Sequence, residues 1–517
     1  MLGWLKKEPE ADHPMADAKA SRAILAALPA QNPSVSLETL SSHLDSLREA
    51  TGLKAQRQFE IVDEIDAASK PFQRKLTQDY LHFTGLSPAQ ETRISHVVTM
   101  FWLRLATAYR LLLELHEAGD PSAHAIRPQL GVIAARAIRA FNLHLKWRQY
   151  RYATADPRQW QDLGRIYGIA ESRAATGTCM VYPGTWGEST VERELLKVLM
   201  LSISSTDSLA RAQVEIVERL CAQYSEFFVM QKQPATGCHF FFDLDGDHAP
   251  ARLADRVALE PALRFFGPGS AAAQIEQLAA EIRAAGAVPS TVNLGGDYPP
   301  SDVLAALLHL ARYWAPLPPA RKESRKASEE RIDVVHGLPD VIAAVSGALS
   351  ELDFDDLRAE TWGVANESVG GFGALVPAGG GDWLAIGELI GVKYSDGAAW
   401  GVGIARRLSE GPRGTRYVGI EMFTRGVSRV RLLPLTADGR VHPEAEAGDD
   451  ALLLPSDVEN SLGRMEVRLV LRLGTYSPQK SLGMRMFATD YLLVPAKMIE
   501  AGTDFDIAIY RVLQRSE

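Results

Sequence analysis

The sequence predicts a multidomain α+β protein with an all-α N-terminal region, a mixed middle region and an antiparallel β-rich C-terminal region. Three observations predict it. From about residue 36 to 231 apolar residues recur at spacings of three and four, as in Leu37, Leu40, Leu44 and Leu47, the period of an amphipathic helix. A stretch that is first Pro-rich and then charged, APLPPARKESRKASEE at 315–330, reads as a domain boundary. Beyond it the period falls to two. In MEVRLVLRL, residues Met465, Val467, Leu469, Leu471 and Leu473 share one face, and Glu466, Arg468 and Arg472 the other, as in a half-buried antiparallel strand.

The elements follow in order. Residues 1–35 are rich in Ala and Pro and read as a flexible N-terminal segment. Residues 36–231 form the α-helical domain. Within it the GDPS at 119–122 is a turn, and Ser189 with Glu192 is a capping box heading TVERELLKVLMLSI. The apolar run 97–115 is interrupted by Arg104 and Arg110, so it predicts a buried helix rather than a membrane span. The mixed α/β region 232–315 opens with the strand HFFFDL. A helix at 270–286 then stops on Gly286, and another at 301–314 has Ser301 as its cap. Residues 316–435 carry the strands RIDVVHGL, ETWGVANES, FGALV, LIGVKY, WGVGIARRL and RYVGIEMF, with one helical piece at 339–352. The C-terminal β segment, 450–517, either completes this set or forms one of its own.

Composition narrows the function. The formal net charge of −9 argues against a DNA, RNA or membrane-surface binder. Cys179, Cys221 and Cys238 are few and odd in number and form no CxxC pair, which argues against a disulfide framework or a zinc knuckle and fits a reducing, cytoplasmic setting. No secretory leader and no membrane insertion are expected. The twelve histidines show no metal spacing, and Walker A, GxSxG and strand-led GxGxxG motifs are absent, so no catalytic residue, metal or cofactor is expected.

Two motifs stand together. Arg321 and Arg325 form an RxxxR at the boundary, and Asn366-Glu367-Ser368-Val369-Gly370-Gly371 is an NxSxxG at a strand end. With the strands that follow, this pairing resembles the PilZ domain, over about residues 320–435. The resemblance implies an antiparallel β-barrel, a cyclic di-GMP ligand, and binding through Arg321, Arg325, Asn366, Ser368 and Gly371. The chemistry suits that ligand, which carries two phosphates and two guanines. Arginine pairs bidentately with phosphate or with the O6/N7 edge of guanine and stacks on a base. Asn366 can donate and accept at a base edge, the Ser368 hydroxyl can serve a phosphate, and Gly371 allows close backbone approach. Lys322, Lys326 and Arg331 read as solvated neighbours. The expected partners are therefore cyclic di-GMP and an unidentified protein that docks on the helical region. The expected mechanism is a ligand-ordered leader between the two halves.

Two rival readings remain. One is a PilZ-like scaffold without ligand. The other is a haloacid-dehalogenase-like phosphatase, because FFFDLDGDH at 240–248 places Asp243 and Asp245 as nucleophile and acid. Its threonine is replaced by Asp247, and the acidic pair Asp355-Asp356 lies beyond the boundary. The same loop fails as a calcium site, since His248 and Ala254 stand where glycine and glutamate are needed. Trp160, Leu163, Gly164 and Tyr167 match the first helix of a tetratricopeptide repeat, without a second copy.

Overall fold

The computed structural model describes residues 11–83, 85–182, 187–253, 259–317, 326–347, 359–395, 397, 399–411, 414–435, 448–455, 466–486 and 489–514. The chain divides into two compact units, Met1–Pro319 and Ala320–Glu517.

The first unit is built from helices α1 (Ala18–Ala26), α2 (Pro33–Ser46), α3 (Ala55–His82), α4 (Pro88–Glu117), α5 (Leu130–Gln149), α6 (Pro157–Ser172), α7 (Val191–Ile203), α8 (Arg211–Gln223), α9 (Ala271–Ala285) and α10 (Pro300–Trp314). A hairpin of β1 (Thr178–Met180) and β2 (Glu188–Thr190) precedes α7. The strands β3 (Val229–Gln231), β4 (Phe240–Asp243), β5 (Ala251–Arg252) and β6 (Leu263–Gly267) form an antiparallel sheet in the order β3-β6-β4-β5. The apolar run read as a buried helix is the middle of α4, where Val98, Phe101, Leu105 and Tyr109 are buried. Among the described residues no helix is long and apolar enough to cross a membrane.

Several local expectations shift. Residues 1–35 are not uniformly loose. Asp17 caps α1 by accepting from the Lys19 and Ala20 amides, and Met15 is buried in the helical core. The cap of α7 is Thr190, whose hydroxyl accepts from the Arg193 amide at 3.0 Å, while Ser189 donates to Glu194. Helix α10 starts one residue before Ser301, at Pro300, which supplies a preset φ and needs no side-chain cap. Gly286 ends α9 in the left-handed conformation that favours glycine, as expected. The region 232–315 shares its core with the helices: Phe240, Phe242, Phe266, Ile275, Leu307 and Trp314 belong to the same apolar cluster. The tetratricopeptide-like residues have a local explanation. Trp160 packs edge-on to Phe242, and Gly164 lets the Leu244 backbone lie directly on α6.

The second unit contains two closed antiparallel barrels of six strands each. Its strands are β7 (Lys326–Ala327), β8 (Arg331–His336), β9 (Glu360–Ser368), β10 (Gly371–Val376), β11 (Leu389–Tyr394), β12 (Gly401–Glu410), β13 (Arg416–Thr424), β14 (Ser428–Leu433), β15 (Asp449–Leu454), β16 (Glu466–Arg472), β17 (Leu482–Met486), β18 (Thr489–Ala501) and β19 (Phe505–Gln514). The first barrel runs β10-β13-β12-β11-β8-β9 and closes through a β9–β10 pairing, with β7 added beside β9. The second runs β14-β15-β16-β19-β18-β17. The C-terminal segment therefore forms a barrel of its own, and it recruits β14 from the block read as the first.

Helix α11 (Leu338–Val345) sits between the barrels. Val335, Leu338, Val341, Leu389, Val402 and Ile404 of one side share a core with Leu452, Leu454, Val470, Phe505 and Ile507 of the other. This corrects the strict alternation read for 465–473. Val470 is buried against the first barrel while Leu469 and Leu471 fill the second, and Leu473 lies past the strand end, exposed. Met465 lies outside the described residues.

Candidate site on the first barrel

Strands β9 and β10 are joined by Val369 and Gly370 alone, with Ser368 paired to Gly371. This tight turn is pinned from β13, because the Met422 amide donates to the Gly370 carbonyl at 3.0 Å. A side chain at Gly371 would collide with the Ile420 carbonyl oxygen, so close strand approach demands glycine there. The Ser368 hydroxyl donates to the Gly371 carbonyl at 3.0 Å. The amide of Asn366 donates to the Tyr417 hydroxyl at 2.7 Å. Gly373 lies opposite Asn366, and its missing Cβ leaves the space that the Tyr417 hydroxyl occupies. Val369, 83% exposed, presents an apolar side chain at the hairpin tip.

The leader reaches this hairpin through β7. Lys326 pairs with Glu367 and Ala327 with Asn366, and the Ser328 amide donates to the Ala365 carbonyl at 3.3 Å. Residues 326–331 are thus held by the barrel, not loose as their composition suggests. The ladder satisfies backbone groups whatever the side chains are. Arg321 and Arg325 lie outside the described residues, and Arg325 precedes Lys326 by one peptide bond. Of the five expected binding residues, the structure brings together Asn366, Ser368 and Gly371.

Three further residues complete this end of the barrel. Glu367 accepts from the Tyr394 hydroxyl at 3.2 Å and from the Arg425 guanidinium, and Arg425 lies over the Tyr394 ring at 5.4 Å. Burial, followed by the nearby Glu367 carboxylate, pushes the Tyr394 hydroxyl up to about 12, so it remains a donor. The side chain of Arg425 is 55% exposed and offers a planar cation beside the NxSxxG turn. Glu367 was visible inside the motif. Tyr394, Tyr417 and Arg425 carry no local signal, because only strand pairing brings them to Asn366 and Glu367.

The acidic loop at 243–247 follows a strand of the four-stranded antiparallel sheet. Its strand β4 pairs antiparallel with both β5 and β6, and Asp243 accepts from the Asp245 amide at 3.0 Å, an ordinary acidic turn. Asp355 and Asp356 lie outside the described residues. Among the described residues no group of three His, Cys, Asp or Glu side chains is placed to hold a metal.

Residues 19–235 match the family model described as the N-terminal domain of the cyclic-di-GMP receptor FimW. The match lies within the first unit and spans less than half of the chain. No curated protein matches the chain.

Proposed function

We propose that the chain is a receptor, not a catalyst, and that its ligand site is the PilZ-like first barrel, a reading supported by the similarity of residues 19–235 to the N-terminal domain of a cyclic-di-GMP receptor. One observation carries the reading. Strand β7, which begins at the residue after Arg325 in the sequence, runs beside Asn366 and Glu367. In this reading Arg321 and Arg325 grip phosphates and guanine edges. Asn366 and Ser368 meet the ligand from the barrel, Gly371 holds the hairpin that presents them, and Arg425 adds a further cation. The helical unit serves an unidentified protein partner in a cytoplasmic setting, and ligand binding is communicated to it through the leader.

Titration calorimetry of the full chain with cyclic di-GMP tests this. Saturable binding that is weakened in Arg325→Ala supports the assignment. Absence of binding leaves the barrel a scaffold, and the second-messenger reading falls.

A further inference from the structure

A cleft of about 560 Å³ opens in the first unit where the end of α4, the 3-10 segment Pro121–Gln129, the end of α6 and strand β1 converge on the start of α5. Its polar lining comprises His116, His124, Arg127 and Arg173 with the uncharged Thr178 and Cys179, and it includes no Asp or Glu. This is unusual on a chain whose formal net charge is −9. The neighbouring acids are committed elsewhere. Glu171, two residues before Arg173, pairs with Arg264 at 2.5 Å and Lys232 at 3.3 Å. Glu117, beside His116, pairs with Arg165 at 2.9 Å. Asp120 accepts from the Ser122 amide and hydroxyl at 2.8 and 2.7 Å. Among the described residues neither Arg127 nor Arg173 has an ion-pair partner.

The backbone that shapes the cleft is specialised. A Cβ on Gly131 would come within 2.8 Å of the Ala175 carbonyl oxygen, so glycine lets α5 close against the loop after α6. In that loop Ala174, a non-glycine, holds a φ of 54°, a conformation that costs on the order of 1 kcal/mol. Pro128, Leu130 and Val132 add apolar wall. A free phosphate fills only a small part of such a volume, whereas pockets of this size hold compact organic ligands.

We infer that this cleft is a second ligand site, separate from the barrel, for a nucleotide-sized metabolite bearing a phosphate or pyrophosphate group. Arg127 and Arg173 clamp the phosphate oxygens with their planar forks. The histidine rings and apolar wall face the organic part.

Calorimetric titration of the full chain with pyrophosphate, ATP and inorganic phosphate, at constant ionic strength, tests the inference. The expected result is saturable binding of pyrophosphate and ATP at one site per chain, with ATP tighter than inorganic phosphate. Arg127→Ala/Arg173→Ala should weaken ATP at least ten-fold with unchanged circular dichroism, since both side chains are exposed. Thr178→Glu, which puts a carboxylate in the lining, should weaken it as well. Arg325→Ala should leave it unchanged, which separates this site from the barrel. No saturable binding of ATP or pyrophosphate, or binding indifferent to both variants, overturns the site. Inorganic phosphate binding as tightly as ATP overturns the nucleotide-sized ligand.

Discussion

Arg406 and Glu500 meet fork to fork, with N–O distances of 2.6 and 2.7 Å, and so tie β12 of the first barrel to β18 of the second. Both strands are irregular at this point, with register shifts between Ala405 and Arg407 and between Met498 and Glu500. A bulge re-aims a side chain out of the ladder, which is how two strands of different barrels exchange a bidentate pair. A double-mutant cycle with Arg406→Ala and Glu500→Ala should return a coupling of about 1 kcal/mol in denaturant unfolding. Arg406→Lys should lose most of it, because a point charge cannot replace the fork. Zero coupling would show that the pair adds nothing to barrel docking.

For the ligand, Arg321→Ala and Arg325→Ala should each weaken cyclic di-GMP binding by about 1.5–3 kcal/mol, the range for hydrogen bonds to charged groups. Lys322→Ala should cost much less. Wild-type affinity in both arginine variants would remove the RxxxR from the site.

The hairpin separates fold from function. Gly371→Ala should destabilise the second unit by about 2 kcal/mol or more, since the Ile420 carbonyl occupies the place of the new methyl. Tyr417→Phe should cost only about 1 kcal/mol of stability. It also unfastens the Asn366 amide from its 2.7 Å partner, so ligand affinity should fall several-fold. Thermal unfolding and titration, run on both variants, distinguish the two effects. Equal losses of stability would contradict the different roles given to them.

Glu388 supplies a pH dependence. Its carboxyl lies 3.8 Å from His336 and accepts from Thr503 at 3.4 Å. Burial, then the neighbouring Asp504 carboxylate, pushes it up to about 7. Its neutral form is favoured in the folded state. Below the ordinary glutamate range both states are protonated and nothing is lost. Between that range and about pH 7 the unfolded state has released a proton that the folded state keeps, so stability falls as pH rises. His336, held down by burial, works in the opposite sense, so the comparison must be made against Glu388→Gln. The stability advantage of that variant over the wild type should grow between about pH 4 and pH 8 by on the order of 2 kcal/mol, discounted for partial exposure. A difference that does not change with pH would refute this assignment.

Amide exchange tests the coupling. Because β7 is already paired with β9, protection at 326–328 should be present without ligand. Cyclic di-GMP should increase it there and in 364–373 together, and should reduce proteolysis at Arg325. Binding without any change in exchange would leave the site intact and discard the ordering mechanism.

Helices and strands were legible because their signals are local. Leu37, Leu40 and Leu44 form the buried stripe that their spacing implies. The barrel partners were not. Tyr417 reaches Asn366 across 51 residues and Arg425 reaches Glu367 across 58, relations fixed by strand order rather than by nearby sequence. Period two also misled at Val470, since a strand between two barrels is buried on both faces and loses the polar side that marks it.

The core around α11 bears on how this chain can be divided. Only three residues separate β13 from β14, and Val335, Val341, Val402 and Ile404 bury themselves against side chains that arrive after residue 450. A fragment that stops at Thr424 would keep every strand of the first barrel yet turn this apolar face toward water. Such a piece is expected to associate with itself or precipitate. Ligand measurements on the first barrel therefore belong on a protein that carries both.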